Sequence, residues 1–228
     1  SLATVYWLLN TVFITFEGPD GSGKSTQIKL LAEHLTGLGH NVLLTREPGG
    51  TEIGEQIRRV LHDLRNKAMQ PRAEILLYSA ARAQLVGETI KPHLAAGGIV
   101  LCDRYADSTL AYQGYGHGLD LNALRLITIF ATQALKPDLT LLFDLDPVLG
   151  LQRRQQSGAE WNRMDAQTLG FHLKVRRGYL EMARAESERW VVLDAARGVE
   201  EVQAEVRRVV LGRLEAGGQR SEVGGSDF

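Results

Sequence analysis

Several kinds of chemistry are excluded by what this chain lacks. Only one of its 228 residues is cysteine, Cys102. No internal disulfide is possible, which fits a reducing, cytoplasmic setting. Six histidines show neither an H-E-x-x-H pattern nor clustering with cysteine, which argues against a transition-metal site built by the protein. No apolar run approaches the ~20 residues that cross a bilayer, so no membrane role is expected. Val5-Tyr6-Trp7-Leu8-Leu9 is apolar but short, with no basic stretch before it. Residues 1–11 therefore read as an N-terminal extension rather than a secretory signal. Excess charge is missing too. Twenty-six basic against twenty-seven acidic residues leave a net charge of −1, so no broad positive field points to nucleic acid. Neither repeats nor a dividing linker interrupt the chain. It reads as one α/β domain over residues 12–212, with a glycine-rich polar tail at 213–228 expected to be disordered.

What is present is a phosphate-binding loop. Gly18-Pro19-Asp20-Gly21-Ser22-Gly23-Lys24-Ser25 fits G-x-x-x-x-G-K-[ST]. The strand-forming run Val12–Phe16 precedes it. Ile28, Leu30, Leu31, Leu35 and Leu38 follow at helical spacing, with Gly37 and Gly39 as stops. A strand, a glycine turn and a helix N-terminus present backbone N–H groups and a favourable dipole to a polyphosphate. Lys24 is placed for the β- and γ-phosphates of ATP, and the Ser25 hydroxyl for Mg²⁺.

Four further apolar runs, Val42–Thr45, Ile99–Cys102, Leu139–Phe143 and Trp190–Leu193, alternate with amphipathic stretches. This βαβα pattern predicts five parallel strands flanked by helices. Ligands in such sheets bind beyond the carboxyl ends of the strands, where the polar residues gather. Arg46-Glu47-Pro48-Gly49-Gly50 follow the second strand and Asp103-Arg104-Tyr105 the third, while Asp144 and Asp146 follow the fourth. Arg46 and Arg104 are planar forks suited to phosphate. Asp103, Asp144 and Asp146 are rival magnesium-organising acids on spacing alone. A helix predicted over 72–87 carries Tyr78 and Arg82 on one face, a stacking ring and a donor for a base carbonyl. A second, over 121–135, has Leu124, Ile127, Phe130 and Ala131 on a stripe suited to core or subunit contact. Gln155–Glu160 reads as a polar loop framed by Arg153, Arg154 and Arg163.

The ordered set of motifs resembles the thymidylate kinases. It comprises Gly18–Thr26, Thr45-Arg46-Glu47-Pro48-Gly49-Gly50, Asp103-Arg104-Tyr105 with Ser108-Thr109 and Ala111-Tyr112-Gln113-Gly114, Lys136-Pro137-Asp138-Leu139-Thr140, and Val175-Arg176-Arg177-Gly178-Tyr179-Leu180. The likeness spans roughly residues 12–210. It implies a P-loop nucleoside-monophosphate-kinase fold, ATP and Mg²⁺, phosphorylation of dTMP to dTDP on the way to dTTP, and a homodimer. By resemblance, Gly18, Pro19, Asp20, Gly21, Ser22, Gly23, Lys24, Ser25, Thr26 and Arg153 serve ATP. Arg46 and Arg104 hold the dTMP phosphate. Asp20, supported by Glu17, reaches the acceptor 3′-hydroxyl. Tyr78, Arg82, Thr109, Ser108 and Gln113 surround thymine, and Tyr112 lies beneath the deoxyribose. Asp103 joins Ser25 at the metal. Gly21 stands where some members carry a basic residue, so the likeness is to the bacterial type with arginines in a lid, here about residues 153–165. Lys24, Arg104, Arg163 and Asp20 are the expected catalytic set, Arg163 being the first choice for the transferring phosphoryl and Asp165 a residue to orient a lid arginine. The alternatives are a kinase for another (deoxy)nucleoside monophosphate and, from a different class, a nucleotide switch. The nearest match to the switch motif N-K-x-D, Asn66-Lys67-Ala68-Met69, lacks its aspartate.

Overall fold

The computed structural model describes residues 11–158 and 162–223. Five parallel strands form one sheet: β1 (Val12–Glu17), β2 (Val42–Arg46), β3 (Ile99–Asp103), β4 (Leu139–Asp144) and β5 (Trp190–Asp194), in the order β2-β3-β1-β4-β5. Each ends one residue beyond the apolar run that marks it in the sequence. All six residues of β1 are buried, as expected where helices cover both faces of a parallel sheet. Its one central polar side chain, Thr15, shares a 2.9 Å hydrogen bond with Thr140 of β4. The register aligns Phe16 and Arg46 with Asp103, so three strands end level and deliver their polar residues to one edge.

Nine helices occur among the described residues: α1 (Lys24–Gly37), α2 (Glu52–His62), α3 (Pro71–Leu85), α4 (Lys91–Ala95), α5 (Ala106–Thr109), α6 (Leu121–Thr132), α7 (Pro147–Gln156), α8 (Leu169–Ala185) and α9 (Val199–Val223). On one face of the sheet, Ile28, Leu31 and Leu35 of α1 and Val202, Val206 and Val210 of α9 pack on Ile14, Leu101 and Leu141. On the other, Leu85 meets Phe13, Val100 and Tyr105.

Four departures from the sequence reading have physical causes. The helix predicted over 72–87 closes at Leu85 and continues as a π-helical turn, Val86–Ile90. Pro92 lacks an N–H, and just before it the Lys91 N–H reaches back five residues to Val86. On α6 the apolar stripe divides. Leu124 and Ala131 are buried, whereas Phe130 is 86% exposed beside Leu126 and Ile129. Part of the polar loop is helical, since α7 takes in Gln155 and Gln156; residues 159–161 lie outside the described residues. The tail expected over 213–228 is helical through Val223, because α9 is anchored by Val202, Val206, Val210 and Leu214 at four-residue spacing and propagates from there. Residues 224–228 lie outside the described residues.

Candidate active site

The phosphate loop leaves β1 at Gly18 and enters α1 at Lys24. Helices α2, α6, α7 and α8 begin with a side-chain cap from Thr51, Asp120, Asp146 and Thr168. Helix α1 does not: its N-cap is Gly23, with no capping side chain and no acid in the first turn. The Thr26 N–H donates to the Gly23 carbonyl at 3.0 Å, while those of Lys24 and Ser25 are left for an anion. Lys24 lies along the loop and donates to the carbonyls of Gly18 (3.0 Å) and Pro19 (2.7 Å) and to Ser22 Oγ (3.3 Å). Burial and the charge of Arg104 pull its pKa down to about 8. Gly21 has φ +76°, and a Cβ there would strike the Gly150 carbonyl of α7. The loop therefore has no room for a basic side chain at this position.

Arg104 organises the other side of the cleft. Its backbone is left-handed, with φ +69°, a conformation a non-glycine residue keeps only when its surroundings enforce it. The guanidinium donates to the Gly18 carbonyl (3.0 Å), Asp20 (2.7 Å), the Tyr112 hydroxyl (3.0 Å) and the Tyr179 hydroxyl (3.2 Å). Asp20 also accepts from Tyr112, at 2.8 Å. Burial alone would raise the Asp20 pKa, but Arg104 and Lys24 outweigh it and hold the carboxyl well below the usual range. Glu17 is fully buried and accepts from Ser108 (2.6 Å), Tyr179 (2.8 Å) and the Tyr105 N–H (2.8 Å). Burial, aided by Asp107, raises its pKa to about 7.

A single cavity of about 510 Å³ joins the phosphate loop to this side. Arg46, Tyr78, Arg82, Thr109, Tyr112 and Gln113 all line it. Several are already committed. Arg82, 1% exposed, pairs with Glu47 and donates to Thr109 Oγ1 (3.0 Å) and the Tyr105 carbonyl (3.1 Å). Gln113 donates to Glu74 at 2.7 Å. Ser108 bonds Glu17 rather than facing the cavity alone. Arg46 forms a half-exposed 3.0 Å pair with Glu55. Among the three acids, Asp103 accepts from Ser25 Oγ at 2.7 Å. Asp144 is taken by Arg176 at 2.7 and 2.8 Å, and Asp146 caps α7.

The lid arginines separate. Arg163, the first choice from sequence, does not line the cavity. It is 8% exposed, ion-paired with buried Glu74, and donates to the Leu61 carbonyl. Its guanidinium is held by protein acceptors, where the sequence reading expected it to face phosphate. Arg154 does line the cavity, held by buried Asp165 at 3.0 Å. Arg153 lines it as well and donates to the carbonyls of Ala195 (2.8 Å) and Ala196 (3.3 Å) after β5. Sequence reading missed Arg58 and His62, which both face the cavity. Their four-residue spacing on α2 places them on one helix face and was the available signal.

Glu17 makes stability depend on pH. A folded pKa near 7 against 4.5 means that its protonated form favours the fold. That contribution is fully present below pH 4.5 and is lost as pH rises through 7, an effect of about 3 kcal/mol. Glu17→Gln should remove this slope. Urea denaturation at pH 5 and pH 8 should show a larger loss in wild type than in the variant, and equal losses would reject the assignment.

The comparisons agree with this geometry. The thymidylate kinase family profile matches residues 16–206. The thymidylate kinase of Roseiflexus sp. (strain RS-1) is 53% identical over 211 residues, covering 88% of this chain and 93% of that protein. That of Deinococcus radiodurans is 52% identical over 195 residues, covering 86% and 94%. A crystal structure of thymidylate kinase from Ehrlichia chaffeensis superimposes with a TM-score of 0.70 at 36% identity, covering 87% of this chain and 98% of that one. With a profile spanning most of the domain and half-identical relatives along nearly their full length, this chain belongs to the thymidylate kinase family.

Proposed function

We infer that the chain transfers the γ-phosphoryl group of ATP to dTMP, yielding ADP and dTDP. The observation carrying this reading is the single cavity that opens at one end on Lys24 and the bare N-terminus of α1, and at the other on Arg46, Arg104 and Tyr78. At the donor end, Lys24 exchanges the carbonyls of its own loop for the β- and γ-phosphates. Arg153, fixed to the backbone after β5, flanks the nucleoside. Magnesium fits the donors present. Ser25 Oγ and Asp103 converge, and no group of three His, Cys, Asp or Glu suited to a metal occurs among the described residues. A cation that keeps several waters and takes the rest of its shell from phosphates suits such a sparse site. When bound, it neutralises charge between the β- and γ-phosphates.

At the acceptor end, Arg46, Arg58 and Arg104 bracket the dTMP phosphate, and Tyr78 stacks on thymine. Tyr112, bonded to Asp20 and Arg104, forms the floor beneath the sugar. A phosphate oxygen of dTMP attacks the γ-phosphorus, and the bond to the bridging oxygen of ADP breaks. The nucleophile has a second pKa near ~6 and is largely dianionic at neutral pH, so no strong base is needed. Repulsion between anions is the barrier, and positioned cations lower it. The Gly21–Gly150 contact bars a basic side chain at position 21, so the transferring group is met from α7 as well as by Lys24. Arg154 replaces Arg163 as the first choice.

The chain also works as a homodimer in this reading. Leu76 of α3 and Leu126, Ile129 and Phe130 of α6 expose apolar surface on two helices that touch each other. A second copy of the same face would cover them.

Three measurements test these readings. In a coupled assay for ADP release, dTMP should exceed dUMP by roughly 10–200-fold in kcat/KM, the worth of one methyl group in an apolar pocket; AMP used as well as dTMP would point instead to a general monophosphate kinase. Arg154→Ala should lower kcat by ~10³-fold or more with little change in dTMP affinity. Arg163→Ala should instead cost about 3–5 kcal/mol of stability by stranding Glu74, and the opposite pattern would return Arg163 to the catalytic role. Phe130→Glu should convert the dimer to monomer in sedimentation, and a wild type that sediments as a monomer would remove the dimer.

A further inference from the structure

His62 is the last residue of α2 and lines the acceptor end of the cavity, four residues after Arg58. The side chain is half-buried and forms no hydrogen bond among the described residues. It is an imidazole in a ligand cleft whose polar edge is uncommitted, beside neighbours that are almost all paired.

The charges around it come from every side. Arg58 is on its own helix, bound to the Pro48 carbonyl at 2.9 Å. From the phosphate loop comes Asp20, and from the end of β3 comes Arg104, the two paired at 2.7 Å. The residues after α7 bring Arg163, docked on the carbonyl of the adjacent Leu61, and Asp165, held by Arg154. Helix α3 contributes Tyr78, on the same cavity, and Glu74, taken by Arg163. Nearby carboxylates thus have arginine partners already, and Arg58, which shares Glu55 with Arg46, adds a cation on the histidine's own helix. Burial, then Arg58, then Arg104 and Arg163 push the imidazole down to about 4, against the opposing charge of Asp20.

We propose that His62 is a proton-linked acceptor-binding residue: its imidazole enters the pocket neutral and gains a proton when the acceptor's phosphate is seated among Arg46, Arg58 and Arg104. The proposal rests on the reading of this end of the cavity as the dTMP site. A dianion seated nearby, acting through an effective dielectric near ~20, raises a suppressed imidazole toward its ordinary range near ~6.5. The protonated ring then adds an N–H donor and a positive charge to the bound state. The sign follows from linkage. At pH 8 the ring is neutral in both states and adds nothing. At pH 6 the bound ring is largely charged and the free one is not, which strengthens dTMP binding by about fourfold.

Calorimetric titration with dTMP at pH 6.5, in two buffers of different ionisation enthalpy, counts the protons exchanged. Wild type should take up about half a proton more per dTMP than His62→Leu or His62→Asn, the second variant keeping a polar group if the first folds poorly. Thymidine, which lacks the phosphate, should show no such difference. In proton NMR, the imidazole signal lost in the variants should titrate near ~4 in free wild type and near ~6.5 with dTMP bound. Equal proton counts for dTMP in wild type and variants, or a His62 titration that dTMP does not move, overturn the proposal while leaving the acceptor site standing. Absence of any dTMP binding by wild type overturns the acceptor reading itself, and this proposal with it.

Discussion

The Arg104 guanidinium ties the phosphate loop to the tyrosines across the cleft, and the geometry of the cleft depends on it. Its donors reach the Gly18 carbonyl and Asp20 on the loop, and the Tyr112 and Tyr179 hydroxyls on the helices opposite. Each of those groups is bound again: Asp20 by Tyr112, and Tyr179 to Glu17. A charge-assisted network of this kind is worth more than its separate pairs when every member is satisfied. It also supports the left-handed backbone of Arg104, a conformation costing on the order of 1–3 kcal/mol. The guanidinium is thereby aimed at the cleft from a fixed backbone rather than a flexible one.

A second constraint is steric. Gly21 of the loop and Gly150 of α7 meet backbone to backbone, and a Cβ on Gly150 would lie 2.5 Å from the Asp20 carbonyl. This contact brings α7, and with it Arg153 and Arg154, to the cavity that the phosphate loop lines. The same contact excludes a side chain from the loop. One packing decision therefore explains both the missing loop arginine and the arginines on the facing helix.

The sheet, its strand edges and the phosphate loop were legible because they rest on local signals: apolar runs of strand length and a spaced glycine motif. The gathering of Arg46, Arg104 and Asp103 at one edge was legible because a parallel sheet delivers the residues after its strands there. The pairing of Arg163 was not legible because composition shows a basic residue near a polar loop but not the buried Glu74 that captures it. Arg58 and His62 were missed because α2 was passed over between two louder motifs, though its amphipathic spacing was present. The helical course of residues 213–223 was hidden because glycine-rich composition argues for coil, while the anchoring of α9 lies upstream at Val202, Val206 and Val210.

The charges of the cleft share a logic no single motif displays. Arg104, Arg82, Arg163 and Arg154 each hold a carboxylate, from Asp20, Glu47, Glu74 and Asp165 in turn. Pairing orients each guanidinium before substrate arrives, which reduces the reorganisation that binding demands. It also cancels much of the field that would otherwise draw phosphate in. Lys24 and Arg58 differ in that their pKa values are both lowered, by burial first and then by a neighbouring arginine. A cation held down in this way is stabilised when an anion arrives. The cleft thus keeps most of its arginines as fixed geometry, beside two cations that an arriving anion would stabilise.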